Sequence, residues 1–136
     1  MGIGTGDVMN GQEQKIVLIV EDDEAIGEVM SIAITQETSY RPLLVASGAE
    51  ARQVLKMHKP CLIVLDYILS DINGLDLYDQ LLAEGALVEI DVLLVSAGMH
   101  DEEAEKRGIA LLEKPFDLDD FIHHVESSCS SFAMCH

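Results

Sequence analysis

Ile16-Val17-Leu18-Ile19-Val20-Glu21-Asp22-Asp23 sets five apolar residues against three acids, and that abrupt change of character decides the fold. A short run of branched residues with no polar alternation reads as a strand buried on both faces. The pattern recurs outward along the chain. Residues 43–46, 61–65, 92–95 and 109–112 are further continuous apolar runs. The segments between them have helical period. Ile26, Val29, Met30, Ala33 and Ile34 fall on one helical face, as do Leu75, Tyr78, Leu81 and Leu82. Leu118, Phe121, Ile122, Val125 and Cys129 repeat the spacing. Ser47 followed by Glu50 is a capping box that opens a further helix. Gly85 and Gly108 stand where helices should stop.

Five strand–helix units in a row imply an α/β fold with a parallel sheet wrapped on both faces. Right-handed crossovers leave few topologies, and the flavodoxin-like (βα)5 doubly wound sheet, strand order 2-1-3-4-5, is the one expected at this size. The 136 residues make one domain. Its expected span is 15–128, between a Gly-rich polar segment, 1–14, expected to be disordered, and a loose tail, 129–136.

The net charge is −17. A surface this acidic repels phosphate backbones and anionic membranes, which argues against direct nucleic-acid or membrane binding. It favours divalent cations and basic protein partners. No apolar run approaches the ~20 residues of a membrane span, and no basic region with an apolar signal core opens the chain. Gly6 stands where a myristoylation motif needs Ser or Thr. Of the three cysteines, Cys61 opens an apolar run and reads as a small core residue, while Cys129 and Cys135 fall in a Ser-rich tail. Their spacing matches no zinc or redox motif, so a reducing cytoplasm is expected.

In such sheets ligands bind outside the carboxyl ends of the strands. The first strand ends in Glu21-Asp22-Asp23, the third in Asp66, the fourth in Ser96 and the fifth in Lys114-Pro115. Carboxylates gathered at one rim repel one another unless a cation sits among them, and Mg²⁺ suits an oxygen-ligand site that keeps several waters. A carboxylate nucleophile, a metal, a lysine and a hydroxyl donor are the parts that phosphoryl transfer needs. Asp23 and Asp117 also have the simpler reading of helix N-caps.

The sequence from about residue 15 to 125 resembles the receiver domain of two-component response regulators. Ile16-Val17-Leu18-Ile19-Val20-Glu21-Asp22-Asp23-Glu24 resembles that family's first strand and acidic pair, and Leu62-Ile63-Val64-Leu65-Asp66 its phosphoacceptor strand. Asp71-Ile72-Asn73-Gly74-Leu75 resembles the loop opening its third helix. Leu93-Leu94-Val95-Ser96-Ala97 resembles its switch strand, and Glu113-Lys114-Pro115-Phe116 its Lys-Pro-Phe motif.

The resemblance implies that Asp66 takes a phosphoryl group from a histidine kinase or phosphotransfer protein. Asp22, Asp66 and the carbonyl of Ile68 would ligate Mg²⁺, with Glu21 acting through a metal-bound water. Lys114 would pair with Asp66 and then with the phosphoryl group, Ser96 would move to bond that group, and the peptide before Pro115 would be cis. The product would be a switched interaction surface, admitting a homodimer on phosphorylation, rather than enzymatic turnover.

Three departures from the family's pattern stand out. Ser70 replaces a proline, Leu111 replaces the switch aromatic, and only eighteen positions separate Ser96 from Lys114. The last shortens the fourth helix to about 101–107, and output is expected from loop 97–101 and that helix. Ile68 and Gly98 stand where polar side chains in fast-hydrolysing relatives hold water. Two alternatives compete with this reading. An aspartate-nucleophile phosphatase would want an acid where Ile68 stands, and a receiver-like scaffold that takes no phosphate would have lost site residues.

Overall fold

The computed structural model describes residues 14–134. Residues 1–13, most of the segment expected to be disordered, lie outside the described residues, as do Cys135 and His136. Ten elements alternate: β1 (Ile16–Val20), α1 (Glu24–Glu37), β2 (Arg41–Val45), α2 (Gly48–Met57), β3 (Leu62–Asp66), α3 (Gly74–Ala83), β4 (Asp91–Ser96), α4 (Asp101–Arg107), β5 (Ala110–Glu113) and α5 (Leu118–Met134). The five strands form one parallel sheet in the order β2-β1-β3-β4-β5, the flavodoxin-like arrangement expected.

The apolar runs are continuous because alternate residues serve two cores. Val17, Ile19, Leu62, Val64, Leu93 and Val95 pack with Met30 and Ile34 of α1 and Phe121 and Val125 of α5. Leu18, Val20, Ile63, Leu65 and Val92 point the other way, onto Ala51 of α2 and Leu77, Tyr78 and Leu81 of α3. A smaller group, Leu75, Leu94 and Ala104, carries α4.

Hydropathy marks where the strands lie but not their bounds: Ala46 falls outside β2 and Ile109 ahead of β5, while other strands extend past their apolar runs. Strands β3, β4 and β5 run on to Asp66, Ser96 and Glu113, which pair in register with their neighbours: Asp66 with Val95, and Ser96 with Glu113. β2 begins at Arg41 and is only half-buried, because it is an edge strand. Pro42 fits there. The Arg41 N–H bonds to the Lys15 carbonyl, so the next residue turns its nitrogen away from the sheet.

The cysteine expectation needs correction. Cys129 belongs to α5, is fully buried, and is disulfide-bonded to Cys61 beside β3, with Cα atoms 5.4 Å apart. The apolar period of α5 carries past residue 128, so the helix runs to Met134 and the expected tail begins inside it. Gln14, at the other margin, donates to the Ser39 carbonyl at 2.9 Å.

Helix stops fall as the glycines indicate. Gly108 caps α4 at φ 69° and Gly85 follows α3 at φ 75°, a backbone region that suits glycine. The start of α2 is richer than a capping box. Ser47 Oγ accepts from the Glu50 N–H, but Glu50 Oε1 reaches back to the Ala46 N–H, one residue before the box position. Asp71, from the loop after β3, accepts from the N–H groups of Gly48 and Ala49 at 2.9 and 3.0 Å.

Those bonds, led by the one from Gly48, hold the Asp71 carboxyl below its ordinary 3.8. An acid with a lowered native value stabilises the fold above its ordinary value and loses that contribution as the pH falls through the native one. Asp71→Ala should therefore cost about 1 kcal/mol at neutral pH, the usual worth of a helix cap. Urea unfolding at pH 7 and pH 3 checks this: the gap between variant and wild type should narrow at the lower pH.

Candidate phosphoacceptor site

Three polar or charged residues are buried as whole residues among those described: Glu21, Asp66 and Ser96. They lie at the carboxyl ends of β1, β3 and β4, whose register brings their ends to one rim. Burying ionisable groups is costly without partners, and the rim supplies one. Lys114 Nζ, after β5, sits 3.1 Å from Asp66 Oδ1 and 3.2 Å from Glu21 Oε1. The Lys114–Pro115 peptide is cis, and the Lys114 N–H bonds to the Ser96 carbonyl at 2.9 Å.

Asp22 is exposed, and its carboxylate completes a cluster with Glu21 and Asp66 whose ligand oxygens lie within 4.8 Å of one another. Asp23 turns away to cap α1, accepting from the N–H groups of Ala25 and Ile26. Its own N–H holds Glu21 Oε2 at 3.1 Å.

Burial pushes the Glu21 carboxyl up from its ordinary range, and the neighbouring Asp66 charge adds to this. The Asp23 N–H and Lys114 oppose it without cancelling it. For Lys114 burial acts downward, but bonding and attraction to Asp66 and then Glu21 outweigh it, so the ammonium is held firmly charged. The centre thus holds one cation among three carboxylates. That is an electrostatic deficit which a hard divalent cation with oxygen ligands would fill, so the residues present fit Mg²⁺.

Ile68 lies two residues past Asp66, with its main chain bridged to Asn73, and the residue is 67% exposed. Leu111 is partly buried against the Leu75, Leu94 and Ala104 group. Two residues that the sequence reading passed over take part. Tyr67 and His100 stack with ring centroids 3.8 Å apart, and His100 Nδ1 lies 2.6 Å from Ser96 Oγ. The only signal for His100 in the sequence was its position four residues after Ser96, which carries no meaning until the loop is folded.

A doubly wound sheet with this acidic rim, a buried aspartate and a spanning lysine defines a class of signalling domain. The chain belongs to the response regulator receiver domain family, whose sequence pattern matches residues 17–126. It is 31% identical over 117 residues to the polar-differentiation response regulator DivK of Brucella anthropi, covering 83% of this chain and 94% of that one. The Brucella ovis protein of the same name is 32% identical over the same shares.

Among solved structures, a signal receiver domain from Vibrio parahaemolyticus superposes with a TM-score of 0.81 at 26% identity, covering 90% of this chain and 95% of that one. The receiver domain of a Pseudomonas aeruginosa sensor histidine kinase shares the fold at a TM-score of 0.76 and 20% identity, covering 87% and 99%. That structure has a magnesium ion coordinated in its active site cleft.

Proposed function

We propose that this receiver domain is a phosphorylation switch with Asp66 as acceptor. The observation that carries the proposal is the buried Asp66 carboxylate, held by Lys114 and grouped with Glu21 and Asp22 at one strand rim. Mg²⁺, when bound, would neutralise charge on the transferring group. Asp22, Asp66 and the Ile68 carbonyl would hold it, with Glu21 acting through a bound water.

The chain's own residues supply the rest. A carboxylate oxygen of Asp66 attacks the phosphorus of a phosphohistidine. The new O–P bond forms as the P–N bond breaks, and its electron pair leaves with the imidazole nitrogen. Lys114 follows the charge from carboxylate to phosphoryl oxygen, and Ser96 donates a hydrogen bond to another.

The donor in this proposal is a histidine kinase or histidine phosphotransfer protein. An apolar groove of about 500 Å³ beside Lys114, lined by Ala25, Ile26, Val29, Pro115, Phe116 and Leu118, offers such a partner a surface to seat on. No described helix is long and apolar enough to cross a membrane. A cytoplasmic setting is part of the same proposal, and there the Cys61–Cys129 bond would meet thiol reductants.

The test is intact-mass spectrometry after incubation with Mg²⁺ and acetyl phosphate. The wild type should gain one phosphoryl group and Asp66→Asn none. Steady phosphate release with fast turnover would favour a phosphatase. A wild type that gains nothing from either acetyl phosphate or phosphoramidate would favour a scaffold that takes no phosphate.

The phosphorylated form should last many minutes. Ile68 offers no hydrogen bond to an attacking water and Gly98 has no side chain, and poor orientation of the water slows hydrolysis. Phosphate loss after donor removal should speed up several-fold in Ile68→Asn. A wild type that empties within seconds would contradict this.

A further inference from the structure

We infer that His100 is the positioning residue of the switch: it latches the Ser96 hydroxyl in the resting state and gives it up when Asp66 is phosphorylated. The inference rests on the phosphoacceptor reading above and names the group that the switch displaces.

A serine hydroxyl has one proton to donate and can accept two bonds. In the resting site Ser96 Oγ accepts from the Gly98 N–H at 3.0 Å and lies 2.6 Å from His100 Nδ1. With the ring proton on Nε2, Ser96 gives its only proton to Nδ1. It then cannot donate to a phosphoryl oxygen on Asp66 without breaking that bond. Ser96 is 1% exposed, so water does not offer the hydroxyl an easy alternative.

Independent features hold the imidazole in place. Its face stacks on Tyr67, the residue after the acceptor, with planes 26° apart. Gly98 leaves it room, since a Cβ there would meet His100 Cε1 at 2.8 Å. His100 occupies the N-cap position of α4 but makes no side-chain cap bond to that helix, while its carbonyl accepts the Ala104 N–H at 3.0 Å.

The side chain is therefore committed to Ser96 and Tyr67, and the backbone to α4. When Ser96 exchanges Nδ1 for a phosphoryl oxygen, the ring loses its polar anchor. The start of α4, joined to the sheet by the exposed residues 97–99, is the element free to follow. Leu111 has no ring with which to report the same event.

The test uses the beryllofluoride adduct with Mg²⁺ and the ¹⁵N resonances of the His100 ring. In the wild type the Nδ1 resonance should move on adduct formation. Without beryllofluoride, Ser96→Ala should move it in the same direction. His100→Phe keeps the stack on Tyr67 but removes the acceptor, and should bind beryllofluoride about fivefold more tightly, the factor one net hydrogen bond is worth. His100→Asn places an amide oxygen near the position of Nδ1 and should return the affinity towards wild type.

An adduct that forms with an unmoved Nδ1 resonance overturns the latch and leaves the phosphoacceptor reading standing. So does an affinity in His100→Phe that is equal to or weaker than wild type. If no adduct forms on wild-type Asp66, the phosphoacceptor reading fails and the latch with it.

Discussion

Gly74→Ala is expected to cost about 3 kcal/mol, the upper end for overpacking a site that cannot relax, and to slow phosphorylation on the order of a hundredfold through misplacement of Asp66. Gly74 opens α3 where that helix presses on the end of β3. Its N–H donates to the Tyr67 carbonyl at 2.6 Å. A Cβ there would run into the Asp66 carbonyl oxygen and come within 3.1 Å of Tyr67 Cα.

Both obstacles are backbone, so no rotamer change relieves them. Either α3 lifts, uncovering Leu75 and Leu77, or the end of β3 shifts and carries the acceptor with it. Denaturant unfolding and the rate of mass gain from acetyl phosphate measure the two losses. A Gly74→Ala protein with wild-type values for both would show that the first turn of α3 yields at little cost.

The second large effect is that of Mg²⁺. At 100 times its dissociation constant, a ligand that binds only the native state adds about 2.7 kcal/mol, or roughly 10 °C in Tm for a domain of this size. Asp22→Ala should remove most of that gain, because Asp22 is the exposed member of the cluster and the least tied to other partners.

The pH dependence follows from Glu21, whose native value is raised above its ordinary 4.5, burial being the largest cause. A carboxyl with a raised native value gives its full contribution below its ordinary value, where it is protonated in both states. That contribution is lost as the pH rises through the native value, because a buried group must then ionise. The metal-free protein should therefore lose this contribution above about pH 4.5. Mg²⁺ needs ionised ligands, so its gain in Tm should grow over the same range. Thermal unfolding with and without Mg²⁺ at pH 5 and pH 8 checks the sign. A gain that shrinks with rising pH, or one that Asp22→Ala leaves intact, would falsify this placing of the cation.

Apolar runs and helical period together determined the element order and sheet class. The central strands β1, β3 and β4 are covered on both faces and so are apolar along their buried length, and strands that alternate with helices form a parallel sheet wrapped on both sides. The acids, the hydroxyl and the lysine could be found in advance for a related reason. In a doubly wound sheet the carboxyl ends of the strands share one rim, so a polar residue straight after an apolar run has a known address.

Tertiary structure decided the rest. Cys61 and Cys129 lie 68 residues apart in sequence, and only the packing of α5 beside β3 brings their sulfurs together. Asp71 reads as a loop acid until the fold sets it against the N–H groups of Gly48 and Ala49. His100 shows no periodicity and fits no motif, and its role depends on a ring stack and one hydrogen bond across a four-residue loop. Local sequence reports burial, which is a property of one residue and its near neighbours. It does not report pairing between distant side chains, because that depends on where several elements lie at once.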